Sequence, residues 1–120
     1  MTLPTLTAFT IAILLAPNLN AAEDLLVADF DGPNYGEWKV TGEAFGPGPA
    51  RGALPGQMPV SGFKGKGLVN SFFNGDGSTG TLTSAEFRIE RKFISFLIGG
   101  GRNFEATGMN LLVNGKIVRT

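Results

Sequence analysis

Short apolar stretches alternate with groups of glycine, proline, asparagine and serine along the chain after residue 22. None of them keeps the 3.6-residue period of an amphipathic helix, and several alternate apolar and polar positions as strands do. Frequent short strands between turn residues are typical of an antiparallel sandwich, a jelly roll or a barrel. We therefore predict an all-β protein with a jelly-roll-like antiparallel β-sandwich. The predicted strands are 25–30, 38–41, 67–73, 81–83, 86–89, 93–98, 109–113 and 116–119.

The last two predicted strands give the clearest local signal. Asn114-Gly115 stands between them, and Asn-Gly is the preferred pair for a type I′ hairpin turn. The run 93–98, FISFLI, is the most apolar after residue 22, which predicts a central strand covered on both faces. The sequence stops at Thr120, within the second hairpin arm, so we expect the sandwich to be incomplete at this end. A small complete sandwich with an edge strand is the alternative.

The first 22 residues differ from the rest, because all ten acidic and all ten basic residues come after Ala22. Residues 8–16, AFTIAILLA, form an apolar run that is shorter than the ~20 residues needed to span a bilayer. Pro17 and the small residues before position 23 then resemble a cleavage region. We predict a signal peptide over 1–22, one module over 23–120, and a secreted or periplasmic protein. A buried N-terminal helix or strand is the alternative.

Composition excludes several kinds of function. The balance of 10 basic and 10 acidic residues argues against a dedicated nucleic-acid binder. The absence of cysteine and histidine excludes disulfides, thiolate metal sites and a Ser-His-Asp triad within these 120 residues. Carboxylate chemistry, hydroxyl groups, lysines and oxygen-ligated calcium remain.

The glycine-rich segment 74–82, NGDGSTGTL, has the spacing of a phosphate-binding loop between Gly75 and Gly80. A phosphate loop also needs a lysine and a following helix, whereas a β-type stretch follows Gly80. The alternating acidic positions and closing glutamate of an EF-hand loop are missing as well. We interpret the segment as a connection between strands, and a calcium site of another kind stays open.

A few residues outside the predicted core could carry binding. Asp29 and Asp31 lie two apart, so they share a face, and with Asp76 they are candidate calcium ligands. Their alternative is that of solvated aspartates at strand ends. Tyr35 and Trp38 are the only tyrosine and tryptophan, and exposed rings of this kind can stack on the apolar faces of sugars. Their alternative is packing in the core, and no cofactor other than calcium is implied.

Five stretches of the chain add up to a resemblance, and they are 29–38, 54–57, 67–71, 78–84 and 98–101, followed by the hairpin MNLLVNGKIVRT. Together they resemble the N-terminal β-sandwich module ahead of the catalytic domain in secreted bacterial glycoside hydrolases of family 32. These levanase- and invertase-like enzymes cleave β-fructosides. The resemblance covers 25–120, and no single motif in it is a catalytic signature.

The resemblance implies a non-catalytic role for this part of the chain. In the family, a nucleophilic aspartate lies in W-x-N-D-P-N-G and an acid/base glutamate in an E-C motif, and neither motif occurs here. No catalytic residue is therefore carried over, and hydrolysis is expected from a downstream domain of the same polypeptide. The module is expected to pack against that domain or to help hold a fructan-type glycan, with no nucleic-acid or membrane partner. A free-standing carbohydrate-binding or structural module is the alternative.

Overall fold

The computed structural model of the chain describes residues 22–101, 103 and 105–120, so the predicted signal peptide lies outside the described residues apart from Ala22. The described part contains four short strands and no helix. It accordingly holds no helix that is long and apolar enough to cross a membrane. The strands are β1 (Lys39–Gly42), β2 (Gly80–Thr83), β3 (Leu111–Val113) and β4 (Lys116–Arg119).

β1 and β2 pair as an antiparallel ribbon in which Thr41 lies opposite Thr81 and Gly42 opposite Gly80. The two threonine hydroxyls share a cross-strand hydrogen bond of 2.5 Å, a contact that stabilises such pairs. A side chain at Gly42 would collide with the Thr79 carbonyl, and one at Gly80 with the Thr41 carbonyl. The close approach of the two backbones therefore depends on glycine, and the predicted strands 38–41 and 81–83 are confirmed to within one residue.

β3 and β4 form the predicted hairpin around Asn114-Gly115. Both turn residues have positive φ, +50° for Asn114 and +73° for Gly115, as a type I′ turn requires. The register shifts between Leu111 and Leu112, and the first arm has three residues where the sequence predicted five. The structure thus confirms the predicted hairpin. The sequence sufficed to predict it because the turn signal is local and needs no distant partner.

Four other predicted strands, 25–30, 67–73, 86–89 and 93–98, are wrong for the structure as described. Phe30 has a φ of +58°, which breaks an extended chain, and the second segment contributes one isolated bridge, between Ala50 and Leu68. The apolar run 93–98 has no hydrogen-bonded neighbour among the described residues, and Phe93 is 83% exposed. A strand exists only when another strand pairs with it, and hydrophobicity alone supplies no partner.

The described part is held together mainly by loops, since its buried side chains are Tyr35, Ala44 and Asn70. The two small antiparallel sheets and the absence of helix in this part are consistent with an all-β protein. A β-sandwich needs two sheets packed face to face. The two small sheets make no such contact among the described residues, so the sandwich stays a prediction.

The turn at Gly115 gives a direct test of the hairpin. Replacing Gly115 with alanine meets no neighbouring atom within 4 Å, so the cost comes from its φ of +73° alone. A left-handed conformation costs a non-glycine residue about 1–2 kcal/mol. We expect the amides of β4 to exchange with solvent about five- to thirtyfold faster. Gly108→Ala, which also has open space but no positive φ, is the control and should leave the exchange rates unchanged.

Candidate functional site

An open cleft of about 260 Å³ lies around the loop that precedes β1. Its aromatic lining comes from Phe30, Tyr35 and Trp38. The Phe30 ring stands edge-on to both of the others, with centroid separations of 6.3 Å to Tyr35 and 5.1 Å to Trp38. These are favourable geometries for aromatic pairs, so the three rings support one another as a cluster.

Local hydrogen bonds fold the loop that carries these rings. The Asp29 carboxylate accepts from the Asp31 amide, and the Asn34 side-chain oxygen accepts from the Gly36 amide. Such contacts two residues ahead are the turns that aspartate and asparagine favour. The Trp38 amide then donates to the Tyr35 carbonyl at 3.1 Å and brings the chain into β1.

Tyr35 is the buried residue of this loop. It is 6% exposed, and its hydroxyl donates a 2.8 Å hydrogen bond to the Phe45 carbonyl. Burial raises the pKa of this hydroxyl above its ordinary value, so it stays protonated and remains a donor. The part of Tyr35 open to the cleft is therefore small, and Trp38, which is half-buried, offers the larger free aromatic surface.

Asp31 ties the same loop to two distant parts of the chain. Its Oδ1 accepts from the backbone amides of Lys66 and Gly67. The hydrogen bond from the Lys66 amide is the largest of several effects that lower the pKa of the Asp31 carboxyl. The Gly67 amide and the charges of Lys66 and Arg51 lower it further, and desolvation, which raises it, is outweighed. The Arg51 guanidinium donates to the Asp31 and Gly32 carbonyls, at 3.1 and 2.8 Å. We call this set of contacts the Asp31 clamp.

Two glycines make room for the Asp31 clamp. A side chain at Gly65 would collide with the Asp31 carboxylate, and Gly65 also has a φ of +74°. A side chain at Gly67 would collide with the Phe30 carbonyl. The sequence Gly65-Lys66-Gly67 therefore lets the two backbones approach closely enough for the amides to reach the carboxylate.

A second network fixes the neighbouring loops. Asn70, which is 7% exposed, and Gln57 exchange two amide hydrogen bonds, of 2.8 and 3.1 Å. The Asn70 oxygen also accepts from the Phe72 amide, and the Gln57 oxygen from the Leu54 amide. Every buried side-chain polar atom of the described residues has a hydrogen-bond partner. Since a buried amide without partners is costly, this pair holds its two loops in one arrangement.

The glycine-rich segment 74–82 forms two consecutive turns that lead into β2. The Gly75 amide donates to the Phe72 carbonyl, and the Ser78 amide to the Gly75 carbonyl. The segment is followed by a strand and not by a helix, as predicted for a connection. It borders a second depression, of about 460 Å³, in which Asn74 is the one polar side chain.

The structure brings together some of the predicted site residues and separates others. Tyr35 and Trp38 line one cleft, and Asp29 lies beside them. Asp31 faces the amides of the clamp, while Asp76 lies in the distant turns before β2. The described residues hold no group of three or more acidic side chains that could bind a metal ion. The calcium hypothesis gains no support from this geometry and stays a prediction.

Sequence patterns did not indicate Phe30, Arg51, Gln57 or Asn70 as partners in the site. Phe30 was assigned to a strand, and the other three are common polar residues without a motif. The available signal was the pair of closely spaced glycines at 65 and 67, which often marks a close approach of two backbones.

Comparison with known proteins identifies one similar curated protein, from the fungus Aspergillus rugulosus, named "Putative glycosyl hydrolase ecdE". The two are 43% identical over 99 residues, which is 80% of this chain but 14% of that protein. The chain thus spans about one seventh of the length of the relative it matches. No family model and no solved structure matches the chain. The identity shows a relationship to a glycosyl hydrolase-like protein and leaves the hydrolase family undetermined.

The Asp31 clamp predicts a specific dependence of stability on pH. Because the folded state lowers the pKa of Asp31, its contribution is present at neutral pH and is lost as pH falls below about 4, the ordinary range of aspartate. Asp31→Asn keeps an acceptor oxygen and removes the charge. We expect the variant to be less stable than the wild type at pH 7, with a difference that shrinks towards pH 2 in urea unfolding.

Asp76→Asn is the matched control for this measurement. Asp76 is exposed and its side chain makes no hydrogen bond among the described residues. The stability of the Asp76→Asn variant should therefore follow that of the wild type from pH 7 to pH 2. A constant difference between Asp31→Asn and the wild type from pH 7 to pH 2 would show that the carboxylate charge does not stabilise the clamp.

Proposed function

We propose that this chain is part of a secreted glycoside hydrolase resembling the β-fructosidases of family 32, in which it forms a non-catalytic antiparallel β-sandwich module. Glycosidic hydrolysis would be carried out by a downstream domain of the same polypeptide. The supporting observation is the 43% identity to one seventh of a much longer protein named as a glycosyl hydrolase. The family assignment rests on the resemblance of the stretches in 29–101 together with the hairpin.

The arrangement of carboxylates supports a role without catalysis for the described residues. Retaining glycosidases hold two carboxyl groups about 5 Å apart, and inverting ones hold them at about 6.5–9.5 Å around a water. Of the two neighbouring aspartates in the cleft loop, Asp31 is engaged by two amides and Asp29 by the Asp31 amide. Both therefore shape the loop, which favours a binding or packing role over acid/base chemistry.

Exposed apolar side chains support packing against more protein. Seven large apolar residues from 87 to 98 lie at the surface, and exposed patches of this kind usually mark an interaction surface. They are Phe87, Ile89, Phe93, Ile94, Phe96, Leu97 and Ile98. We propose that the rest of the polypeptide covers this segment, which we call the 87–98 segment, and supplies it with strand partners in the sandwich. Secretion is proposed from the leader-like composition of 1–22.

The activity is tested on the full gene product. We expect its purified secreted form to release fructose from levan, inulin or sucrose, while residues 22–120 alone release none. The measurement is reducing-sugar release, with xylan and starch as substrates that should give no product. Hydrolysis of xylan or starch in place of fructans would overturn the fructosidase assignment. A gene product without any hydrolytic activity would favour a free-standing binding or structural module.

Packing of the 87–98 segment is tested with two charge substitutions at equally exposed positions. Phe93 is 83% and Met58 82% exposed among the described residues. If the rest of the polypeptide covers Phe93, Phe93→Lys loses the burial of an aromatic side chain and places a charge in the interface. We expect it to destabilise the full gene product by at least ~2 kcal/mol in thermal or urea unfolding.

Met58→Lys is the matched control and should change stability by less than about 0.5 kcal/mol. In residues 22–120 alone, where the 87–98 segment is uncovered, Phe93→Lys should instead raise solubility. Equal and small effects of both substitutions on the full gene product would show that the 87–98 segment stays at the surface.

A further inference from the structure

We propose that the cleft between Phe30, Tyr35 and Trp38 is a subsite that holds one sugar residue of a fructan chain. The choice of fructan rests on the proposed function. The choice of a sugar ring rests on the cleft itself, whose size, aromatic lining and polar rim are described by the structure.

The size of the cleft suits one ring. Its volume of about 260 Å³ is below the roughly 300–1,000 Å³ of sites that enclose a drug-sized ligand. The cleft is open, so the neighbouring residues of a polymer can continue into solvent on either side. An open aromatic cleft that contacts a single unit suits a polysaccharide better than a small molecule that needs enclosure.

The aromatic surface of the cleft is free to bind. Phe30 contacts Trp38 edge-on, and this contact fixes the indole ring without covering it completely, since Trp38 remains half-buried. Aromatic rings present a large apolar surface whose binding loses little conformational entropy. Trp38 is therefore the stacking residue of this subsite, and Phe30 acts as a positioning residue.

Polar groups at the rim match sugar hydroxyls. Asp29 and Asn34 both line the cleft, and each uses one side-chain oxygen for a turn. The second Asp29 oxygen can accept a hydrogen bond from a hydroxyl, and the Asn34 amide group can donate one. Vicinal hydroxyls act as donor and acceptor together, so one sugar residue can use both groups.

Contacts within the protein hold the loop in place without any ligand. The Asp31 clamp holds one end, and the hydrogen bond from the Tyr35 hydroxyl to the Phe45 carbonyl holds the other. Phe30 also keeps a φ of +58°, which is unusual for a bulky side chain and persists only when the surroundings enforce it. A loop that is ordered in advance loses less entropy on binding, which is the property expected of a binding site.

The test uses the full gene product and levan as the probe. Hydrogen exchange of the wild type with and without levan should show protection of amides in 28–38. Trp38→Ala should weaken the binding of levan about tenfold, and Trp38→Phe, which keeps an aromatic face, should stay within about threefold of the wild type.

Asp29→Asn adds a check that does not depend on the fold of the tryptophan variants. It keeps the oxygen that accepts from the Asp31 amide and removes the rim charge, so levan binding should weaken several-fold while the melting temperature is retained. If Trp38→Ala fails to fold, the subsite is tested by the protection of 28–38 in the wild type and by the affinity of the Asp29→Asn variant for levan.

Unchanged levan binding by folded Trp38→Ala, or no protection of 28–38 by levan in an enzyme that hydrolyses it, would overturn the subsite and leave the fructosidase assignment intact. Inulin, xylan and starch are run in parallel. In a gene product that does not hydrolyse levan, protection of 28–38 by xylan or starch, with Trp38-dependent binding, would support the sugar subsite and count against the fructosidase assignment. No protection by any of the four glycans overturns the subsite whatever the enzyme hydrolyses.

Discussion

The Asp31 clamp is the contact on which the arrangement of the described residues most depends. One carboxylate joins the cleft loop to the Gly65–Gly67 backbone, and Arg51 fixes the same loop from a third part of the chain. Charge-assisted hydrogen bonds of this type are roughly twice as strong as neutral ones. They matter more here than in most domains, because the described residues bury very few apolar side chains. Loops that share no hydrophobic core need directional polar contacts to keep one arrangement.

The Asn70–Gln57 pair applies the same principle to the neighbouring loops. The side-chain oxygens and nitrogens of both amides have hydrogen-bond partners in each other or in the backbone. Because hydrogen bonds are directional, the pair fixes how its two loops are oriented towards each other. The stretches 29–38, 54–57 and 67–71, which carry the resemblance to family 32 modules, supply Asp31, Gln57, Gly67 and Asn70. Each of these three stretches thus contains a residue that holds loops together.

The sequence predicted those elements whose conformation is set by neighbouring residues. Asn114-Gly115 demands positive φ at two adjacent residues, and the hairpin follows; β1 and β2 are short alternating runs beside a turn. The run 93–98 was assigned to a covered strand, yet a strand needs a partner that hydrophobicity does not identify. Phe30 shows the converse case, in which an apolar residue in an apolar run leaves the strand conformation because distant contacts at Asp31 override its local preference. The residues of the cleft could be named from their chemistry, whereas the clamp that positions them depends on contacts about 35 residues apart in the sequence.

Two surfaces of different character follow from these contacts. The cleft loop is held by hydrogen bonds, carries aromatic rings and is edged by Asp29 and Asn34, which suits reversible binding of a hydrated ligand such as a sugar. The 87–98 segment exposes seven large apolar side chains and pairs with no strand among the described residues, which suits burial against protein, because such side chains gain most when water is excluded from them. The two occupy separate stretches of the sequence, so packing of one against a larger polypeptide would leave the other free. On the proposed function, the 87–98 segment would fix the module to its enzyme and the cleft would hold substrate, so that each surface could change without disturbing the other.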